Sequence, residues 1–362
     1  MNPSRSHLRK LLLACLLVST AAAAHDEQER FWEQPYPTQF DKSSLASEQG
    51  VIRVDGNRFV DPSGKTFVFR GVSIADPSKL VTDGHWDRRI FEEIRSWGAN
   101  TVRLPVHPAG WRFRGEQKYL ALIDDAVRWC NELGLYIIVD WHSIGYLPSE
   151  LFQHPGYRTT RRETLAFWHD IAFRYQGVPT IAVYELFNEP TTAGNTLGRR
   201  DWDEWKAFNE YLIDMIRARD KDPIPLVAGF NWAYDLRDVR EAPIAREGVA
   251  YASHPYPQKE HPTVPSKANF YAAWDQAWGF VADKHPMILT EIGWVRPGGY
   301  GAHIPVMNDG SYGPMIAEYM QKKGLSWTAW CFDPNWSPVL IKDWDFTPSE
   351  QGKYFRGLML QH

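Results

Sequence analysis

Short apolar runs alternate with longer amphipathic segments along the chain from residue 66 to residue 330. The apolar runs are rich in β-branched and aromatic side chains, which favour extended structure. Each run is followed by a loop and then by a stretch with helical periodicity. We therefore predict eight strands, which span Thr66–Val72, Ala99–Leu104, Leu135–Asp140, Ile181–Asn188, Ile224–Gly229, Val249–Ser253, Met287–Thr290 and Leu325–Trp330.

Helices are predicted between these strands, and the one between the fifth and sixth strands is short, around Leu236–Ala242. Strands that alternate with helices indicate a parallel sheet of βαβ units. Eight units favour closure into a single (β/α)8 TIM barrel, and the glycine-rich phosphate turn of a doubly wound sheet follows none of the first strands. The remaining predicted helices are Asp87–Trp97, Lys118–Leu133, Arg161–Tyr175, Asp201–Asp220, Phe270–Lys284 and Gly313–Lys323.

The first 24 residues have the pattern of a targeting segment. They begin with basic side chains, continue with the apolar run Leu11–Val18 and end in small residues up to Ala24. This order is typical of a secretory signal peptide, and the apolar run is too short to span a bilayer. We predict cleavage after Ala24 and a secreted or periplasmic protein with no membrane contact afterwards.

Two further segments precede the repeating pattern. Residues 25–50 are polar and lack periodicity, so we expect an extended N-terminal arm. From Ile52 to Val60, alternating positions surround a turn-prone Asp-Gly-Asn, which predicts a small β-hairpin that caps the base of the barrel. Residues 51–362 would then form one catalytic domain, because barrels of this kind use such a length as a single unit.

Composition narrows the class of protein. Removing residues 1–24 takes away three positive charges and changes the formal net charge from −4 to −7. No run of Lys and Arg interleaves with the aromatic side chains, so nothing indicates nucleic-acid binding. After cleavage the cysteines Cys130 and Cys331 remain, too few for a disulfide framework, and we predict that both are buried thiols in a monomeric protein.

Polar and aromatic side chains stand at or just after the ends of most predicted strands. In barrel enzymes the C-terminal ends of the strands meet at one rim, where the chemistry is found. We therefore expect these side chains to lie together. The candidate site residues are Arg103, His107, Trp141, His142, Asn188, Glu189, Trp232, His254, Tyr256, Glu291, Trp294 and Trp330.

Two carboxylates stand out within this set. The fourth predicted strand should stop at Glu189, because Pro190 has no N–H with which to continue a ladder. The seventh apolar run delivers Glu291 in the same way. A pair of carboxylates that face each other is what glycoside hydrolysis needs, since one must donate a proton and the other must be ionised. A third carboxylate, Glu185, has the same strand parity as Glu189 and should point inward, where it could pair with Arg103.

Two alternatives remain open at this point. His107, His142 and His254 could ligate zinc together with the carboxylates, but the chain has no His-Glu-x-x-His motif and no His-x-His after the first strand. We therefore predict no metal and no cofactor. A sugar-binding barrel without catalysis is the second alternative, although a binding protein has no need for two facing carboxylates.

The ordered set of motifs resembles glycoside hydrolase family 5, a family of retaining (β/α)8 cellulases and mannanases. The resemblance covers roughly Val51 to the C-terminus. It rests on Asn188-Glu189-Pro190, Glu291, Arg103, His142, His254-x-Tyr256 and Trp330, each after its own strand.

The resemblance implies a double-displacement mechanism and a role for each matching residue. Glu291 would be the nucleophile and Glu189 the acid and later the base. Arg103 and Tyr256 would keep Glu291 ionised, and Asn188 would bind the sugar 2-hydroxyl. His142 and His254 would hold hydroxyls or the acid. Trp330 would form the floor beside the scissile bond, and Trp141, Trp232 and Trp294 are candidate sugar platforms, while His107 could equally be a core residue.

The function expected from these residues is a retaining glycoside hydrolase that cleaves β-linked glucan chains, most simply an endo-β-1,4-glucanase. A β-mannanase, or a β-1,3-glucan hydrolase or transglycosylase, would share the same rim residues. The expected partner is a β-linked polysaccharide or oligosaccharide. An inactive carbohydrate-binding barrel is the remaining alternative.

Overall fold

A computed structural model describes residues 35–260, 262–299 and 306–361. The predicted signal peptide and residues 25–34 of the predicted arm lie outside the described residues. Eight parallel strands close into a barrel, which confirms the predicted fold. In chain order they are β1 Arg70–Ile74, β2 Thr101–Val106, β3 Tyr136–Trp141, β4 Ile181–Glu185, β5 Ile224–Ala228, β6 Ala250–Ala252, β7 Met287–Ile292 and β8 Ser326–Phe332.

Helices surround the barrel between consecutive strands, as the amphipathic segments predict. In α2, for example, the side chains of Ile90, Phe91 and Ile94 are buried, and they recur at the spacing of one helix face. The longer helices are α1 Pro77–Thr82, α2 Arg88–Ser96, α3 Pro108–Arg114, α4 Glu116–Leu133, α5 Arg161–Arg174, α6 Trp202–Arg217, α7 Lys267–Ala277, α8 Tyr312–Lys323 and α9 Glu350–Met359, and a short irregular turn, Phe230–Ala233, follows β5.

Local sequence signals fix the ends of several helices. Thr160 begins α5 by accepting a hydrogen bond from the backbone N–H of Glu163, and Asp201 begins α6 in the same way. Gly134 and Gly324 end α4 and α8 with φ near +68° and +67°, which residues with a Cβ rarely adopt. These ends set the lengths of the connections that return the chain to the next strand.

Short 3-10 turns complete the connections. The predicted short helix between the fifth and sixth strands is a single turn. The 3-10 turns are Lys42–Ser44, Leu147–Ser149, Pro155–Tyr157, Arg237–Arg240 and Gly279–Asp283.

The first and fourth strands differ from the prediction. Residues Thr66–Phe67 pair with a small N-terminal sheet instead of the barrel, and β1 begins at Arg70. The prediction that the fourth strand stops at Glu189 is wrong, because β4 ends at Glu185. The chain then turns towards the segment after β3, where Glu189–Pro190 pairs in parallel with 144–145.

Residues 53–67 form an antiparallel sheet of three strands, Arg53–Asp55, Arg58–Val60 and Thr66–Phe67. Phe59 and Phe67 contact Phe69 edge to face, with ring centroids 5.1 and 4.9 Å apart. They belong to one apolar cluster with side chains from inside the barrel, including Ile138 and Ile288. Apolar packing therefore fills the barrel beneath the polar residues of the rim.

The described part of the predicted arm lies against the outer helices. Phe40 is buried, and its backbone N–H donates to the carbonyl of Arg174 in α5. Further along, Ala46 and Ser47 donate to the side chain of Asn131 in α4. Cys130 and Cys331 are buried free thiols, as predicted. Of the helices in the described residues, none is both long and apolar enough to cross a membrane.

Candidate active site

A buried arginine lies at the centre of the polar rim. Arg103 on β2 donates from Nε to Glu185 Oε2 at 2.6 Å and from Nη1 to Glu291 Oε1 at 2.9 Å. Its Nη2 donates to Asn188 Oδ1 at 2.6 Å and lies 2.9 Å from Asp140 Oδ2. Burial alone would lower the pKa of Arg103, but the surrounding carboxylates outweigh burial and raise it. The guanidinium is therefore a permanent cation that joins four strands.

Glu291 on β7 accepts hydrogen bonds at both of its oxygens. Besides the contact with Arg103, its Oε2 accepts from the Tyr256 hydroxyl at 2.8 Å. Burial, together with the nearby charge of Glu189, raises the pKa of Glu291 overall, although His254, Arg103 and Tyr256 act in the opposite direction and favour its ionised form. Burial also raises the pKa of Tyr256, so its hydroxyl keeps the proton that it donates.

His254 lies beside both candidate carboxylates, with its Nδ1 3.7 Å from Glu291 Oε2. Its Nδ1 lies 2.9 Å from Glu189 Oε1, and its Nε2 lies 2.9 Å from Thr290 Oγ1. The Thr290 hydroxyl donates to Glu185 Oε1 at 2.6 Å, so it must accept from a protonated Nε2. Burial would lower the pKa of His254, but the charges of Glu291 and its neighbours raise it to about 9. The ring is therefore an imidazolium at neutral pH.

Glu189 and Glu291 are close enough to act on one bond. One oxygen of each carboxylate and a ring nitrogen of His254 all lie within 4.8 Å of one another. Retaining glycosidases separate their carboxyl groups by about 5–5.5 Å, whereas inverting enzymes need roughly 6.5–9.5 Å to admit a water molecule. The short distance therefore matches the retaining geometry.

The same three residues are the group of possible metal ligands that the described residues contain. A histidine ligates a metal through a neutral ring, and the imidazolium of His254 already donates to both neighbours. His142 and His107, the other histidines of the zinc alternative, do not belong to this group. His142 Nδ1 lies 2.6 Å from Asp140 Oδ2, and His107 Nδ1 lies 3.2 Å from Asp76 Oδ2. The donor set therefore does not fit a zinc site.

The floor of the site is formed by His142 and Trp330. Their rings are stacked with centroids 5.4 Å apart and planes 7° apart. Burial lowers the pKa of His142 well below its usual value, and the charges of His107 and Arg103 add to the effect. A neutral imidazole beside a flat indole suits a sugar ring, which presents hydroxyls at its edge and C–H groups on its face.

A cavity of about 510 Å³ opens above these residues. Asn188 lines it, and the side-chain Nδ2 of Asn188 is buried without a hydrogen-bond partner among the described residues. A bound hydroxyl would satisfy this donor. The residues that line the cavity include His142, Gln153, Tyr157, Asn188, Glu189, Trp232, Tyr256, Lys259, Glu291 and Trp330.

Seven of the twelve predicted site residues line the cavity, and Arg103 and His254 lie behind them in hydrogen-bond contact with the two carboxylates. The other three lie apart from the cavity. Trp141 points away from it, stacks on Phe167 at 4.2 Å and donates its indole N–H to Thr164. Trp294 is buried among the rings of Tyr312, Tyr354 and Phe355. The prediction that these two tryptophans are sugar platforms is therefore corrected. His107 lies behind His142, with ring centroids 4.4 Å apart.

Several residues of the cleft were not predicted as site residues. Gln153 and Tyr157 lie in the segment after β3, and Lys259 lies three positions after Tyr256. None stands at a strand end, so the strand pattern carries no signal for them. The inward-facing Glu185, by contrast, is the partner that side-chain alternation predicts for Arg103.

A (β/α)8 barrel whose rim holds two buried carboxylates at this distance is the arrangement of a glycoside hydrolase. Comparisons with known proteins agree. The family described as Cellulase (glycosyl hydrolase family 5) matches residues 60–336. The chain belongs to this family.

The relatives differ in how closely they match. A β-glucanase from Saccharophagus degradans, solved in complex with cellotetraose, is 62% identical with a TM-score of 0.89, and the match covers 92% of this chain and 99% of that one. An endoglucanase of Paenibacillus polymyxa is 24% identical over 83% of this chain and 85% of its own length. For an endoglucanase of Clostridium saccharobutylicum the identity is 23%, over 80% of this chain and 58% of the relative.

Proposed function

We propose that the protein is a retaining endo-β-glucanase that cleaves β-1,4-linked glucan by double displacement. The observation that carries this proposal is the pair Glu189 and Glu291, whose nearest oxygens lie within 4.8 Å in a buried polar site beneath an open cavity. That separation leaves no room for the water molecule of an inverting mechanism.

In the first displacement Glu291 attacks the anomeric carbon, and the bond to the leaving oxygen breaks. Arg103 and Tyr256 each donate to one oxygen of Glu291, so the ionised form is held with a fixed orientation. Glu189 gives its proton to the leaving oxygen, and the shortened chain departs with a free hydroxyl. The imidazolium of His254, 2.9 Å from Glu189, balances the charge that this carboxylate gains.

The second displacement reverses these roles. Glu189, now ionised, takes a proton from a water molecule that attacks the anomeric carbon from the side vacated by the leaving group. The bond to Glu291 breaks, and the sugar is released with its original configuration. Asn188 presents a free N–H to the sugar 2-hydroxyl, a contact that strengthens in the transition state. Trp330 supports the sugar face.

The substrate class is supported by the relatives. The two relatives from Paenibacillus polymyxa and Clostridium saccharobutylicum are endoglucanases, and the 62% identical structure is a β-glucanase in complex with cellotetraose. These descriptions favour a β-1,4-linked glucan over mannan. Action on β-1,3 linkages and transfer to another sugar remain alternatives that use the same residues. The predicted signal peptide supports a location outside the cytoplasm, where such polymers are found, and we expect a monomer.

Substitution of the two carboxylates tests the proposal. Glu291→Ala should abolish hydrolysis of β-glucan. Glu189→Ala should lose turnover on glucan but keep partial activity on an aryl glycoside whose leaving group needs no proton. The exposed Glu318 provides the matched control, because Glu318→Ala should behave as wild type. Circular dichroism would check that each variant folds, and wild-type hydrolysis by Glu291→Ala would refute the assignment.

A further inference from the structure

Trp232 is held in an unusual backbone conformation at the edge of the cleft. The φ angles of Asn231, Trp232 and Ala233, just after β5, are 57°, 56° and 57°. Residues with a Cβ rarely adopt this left-handed region, and three in succession require support from their surroundings. Such conformations are concentrated at functional sites, where the fold keeps a side chain in one place.

Two side chains, those of Gln153 and Lys259, contact the indole of Trp232. The indole N–H donates to Gln153 Oε1 at 2.5 Å. The ammonium of Lys259 lies 4.6 Å from the centre of the indole ring and also donates to the carbonyl of Asn231 at 3.1 Å. We call Gln153, Trp232 and Lys259 the Trp232 cluster.

Lys259 forms no ion pair with any carboxylate of the described residues. Among the described residues no carboxylate lies within 4.0 Å of its ammonium, and its contacts converge on Asn231 and Trp232. Burial lowers the pKa of Lys259 to about 8, while the charges of Glu189 and Glu291 act to raise it. The side chain is therefore cationic at neutral pH and shares the cavity with the acid.

The topology places the Trp232 cluster on the acid's side of the cleft. β4 lies between β3 and β5 in the barrel, and Glu189 follows β4. Gln153 belongs to the segment after β3 and Trp232 to the turn after β5, so their hydrogen bond joins the two elements that flank the acid. In the proposed function the acid protonates the leaving oxygen, and the sugars that depart must lie on this side.

We propose that Lys259 is a positioning residue that holds Trp232 as the platform for the first sugar of the leaving group. The ammonium contacts both the indole and the backbone carbonyl before it, so it restrains the side chain and the left-handed turn together. An aromatic ring whose orientation is already fixed loses less conformational freedom when a sugar face stacks on it, so it binds the sugar more tightly. This inference rests on the proposed endo-β-glucanase function, because the platform serves an oligosaccharide leaving group.

Kinetics on two substrates would test this role. Lys259→Met keeps the chain length and removes the charge, and it should raise KM for cellohexaose about tenfold with kcat within twofold. The same variant should keep kcat/KM within twofold for 2,4-dinitrophenyl β-cellobioside, whose leaving group is not a sugar. Lys259→Arg should restore KM for cellohexaose to within threefold of wild type. The exposed Lys267 gives the control, and Lys267→Met should change neither substrate.

A second variant addresses the other contact of the Trp232 cluster. Gln153→Ala removes the acceptor of the indole N–H and should raise KM for cellohexaose about threefold, again without effect on the aryl substrate. Melting temperatures close to wild type would exclude general destabilisation as the cause.

The outcomes separate this inference from the proposed function. The positioning role would be overturned if Lys259→Met lost the same factor in kcat/KM on both substrates. It would also be overturned if the variant had a lower KM for cellohexaose, since the ammonium would then occupy the place of the sugar on the indole. An unchanged KM would do the same. By contrast, a wild-type protein that hydrolyses no β-glucan would refute the proposed function itself.

Discussion

His254 makes the stability of the protein depend on pH in a way that can be calculated. Burial would lower its pKa, but the charges of Glu291, Glu185 and Glu189 raise it from 6.5 to about 9. Between these values the folded protein holds a proton that the unfolded chain releases. The stabilisation is therefore fully present below pH 6.5 and is lost as the pH rises through about 9. At about 1.4 kcal/mol for each pKa unit, the loss amounts to about 3 kcal/mol.

The substitution His254→Asn isolates this contribution. Asparagine can still donate to Glu189 but cannot titrate, so the variant lacks the pH-dependent part of the stabilisation. We expect wild type to lose about 3 kcal/mol more than the variant between pH 6 and pH 9.5. Urea unfolding followed by circular dichroism at both pH values measures this difference. Groups such as Lys259 titrate in both proteins, and their contributions cancel in the comparison.

The control for this experiment is an exposed histidine. His154 is exposed at the tip of the segment after β3, and His154→Asn should keep the pH dependence of wild type. If wild type and His254→Asn instead lose equal free energy between pH 6 and pH 9.5, His254 is not a buried cation. The charge balance that we describe for Glu189 would then be wrong.

Two further predictions follow from the same site. Arg103→Met should lower the free energy of unfolding by about 3–5 kcal/mol, because it leaves Asp140, Glu185 and Glu291 buried without their cation. Urea unfolding would measure this loss, and a decrease of less than about 1 kcal/mol would contradict the role of Arg103. Dialysis against a chelator should leave hydrolysis of β-glucan unchanged, because the donor set around His254 does not fit zinc. Loss of activity that is restored only by adding metal would show that the site does bind a metal ion.

Strand periodicity was sufficient to predict the barrel and most of its rim. Parallel strands deliver their C-terminal residues to one edge, so Arg103, Asn188, Glu189 and Glu291 could be grouped before any contact was known. The pairing of Arg103 with Glu185 followed from the alternation of side chains along a strand, and the structure confirms it.

Trp141 shows how the same alternation corrects a prediction. It lies between Asp140 and His142, which both face the site, and neighbouring positions on a strand point to opposite sides. Its ring consequently packs outside the barrel against Phe167. Chemical suitability as a sugar platform does not override the direction that the backbone gives to a side chain.

The cleft residues on connecting segments could not be predicted from periodicity. Gln153, Tyr157 and Lys259 reach the cavity because the backbone turns between elements, and turns of this length have no repeating pattern. The end of the fourth strand differs from the prediction for a related reason. Glu189 pairs with the segment after β3, so its position depends on a distant part of the chain.

The guanidinium of Arg103 also ties the completion of the site to the order in which the chain folds. Its partners Glu185, Asn188 and Glu291 lie 82, 85 and 188 positions further along the sequence. A nascent chain that has formed only its first four strands would contain the acid without the nucleophile. During refolding, hydrolytic activity should therefore return when the barrel closes, which is later than the formation of the helices. The recovery of hydrolysis would then measure the time at which the seventh strand joins the barrel.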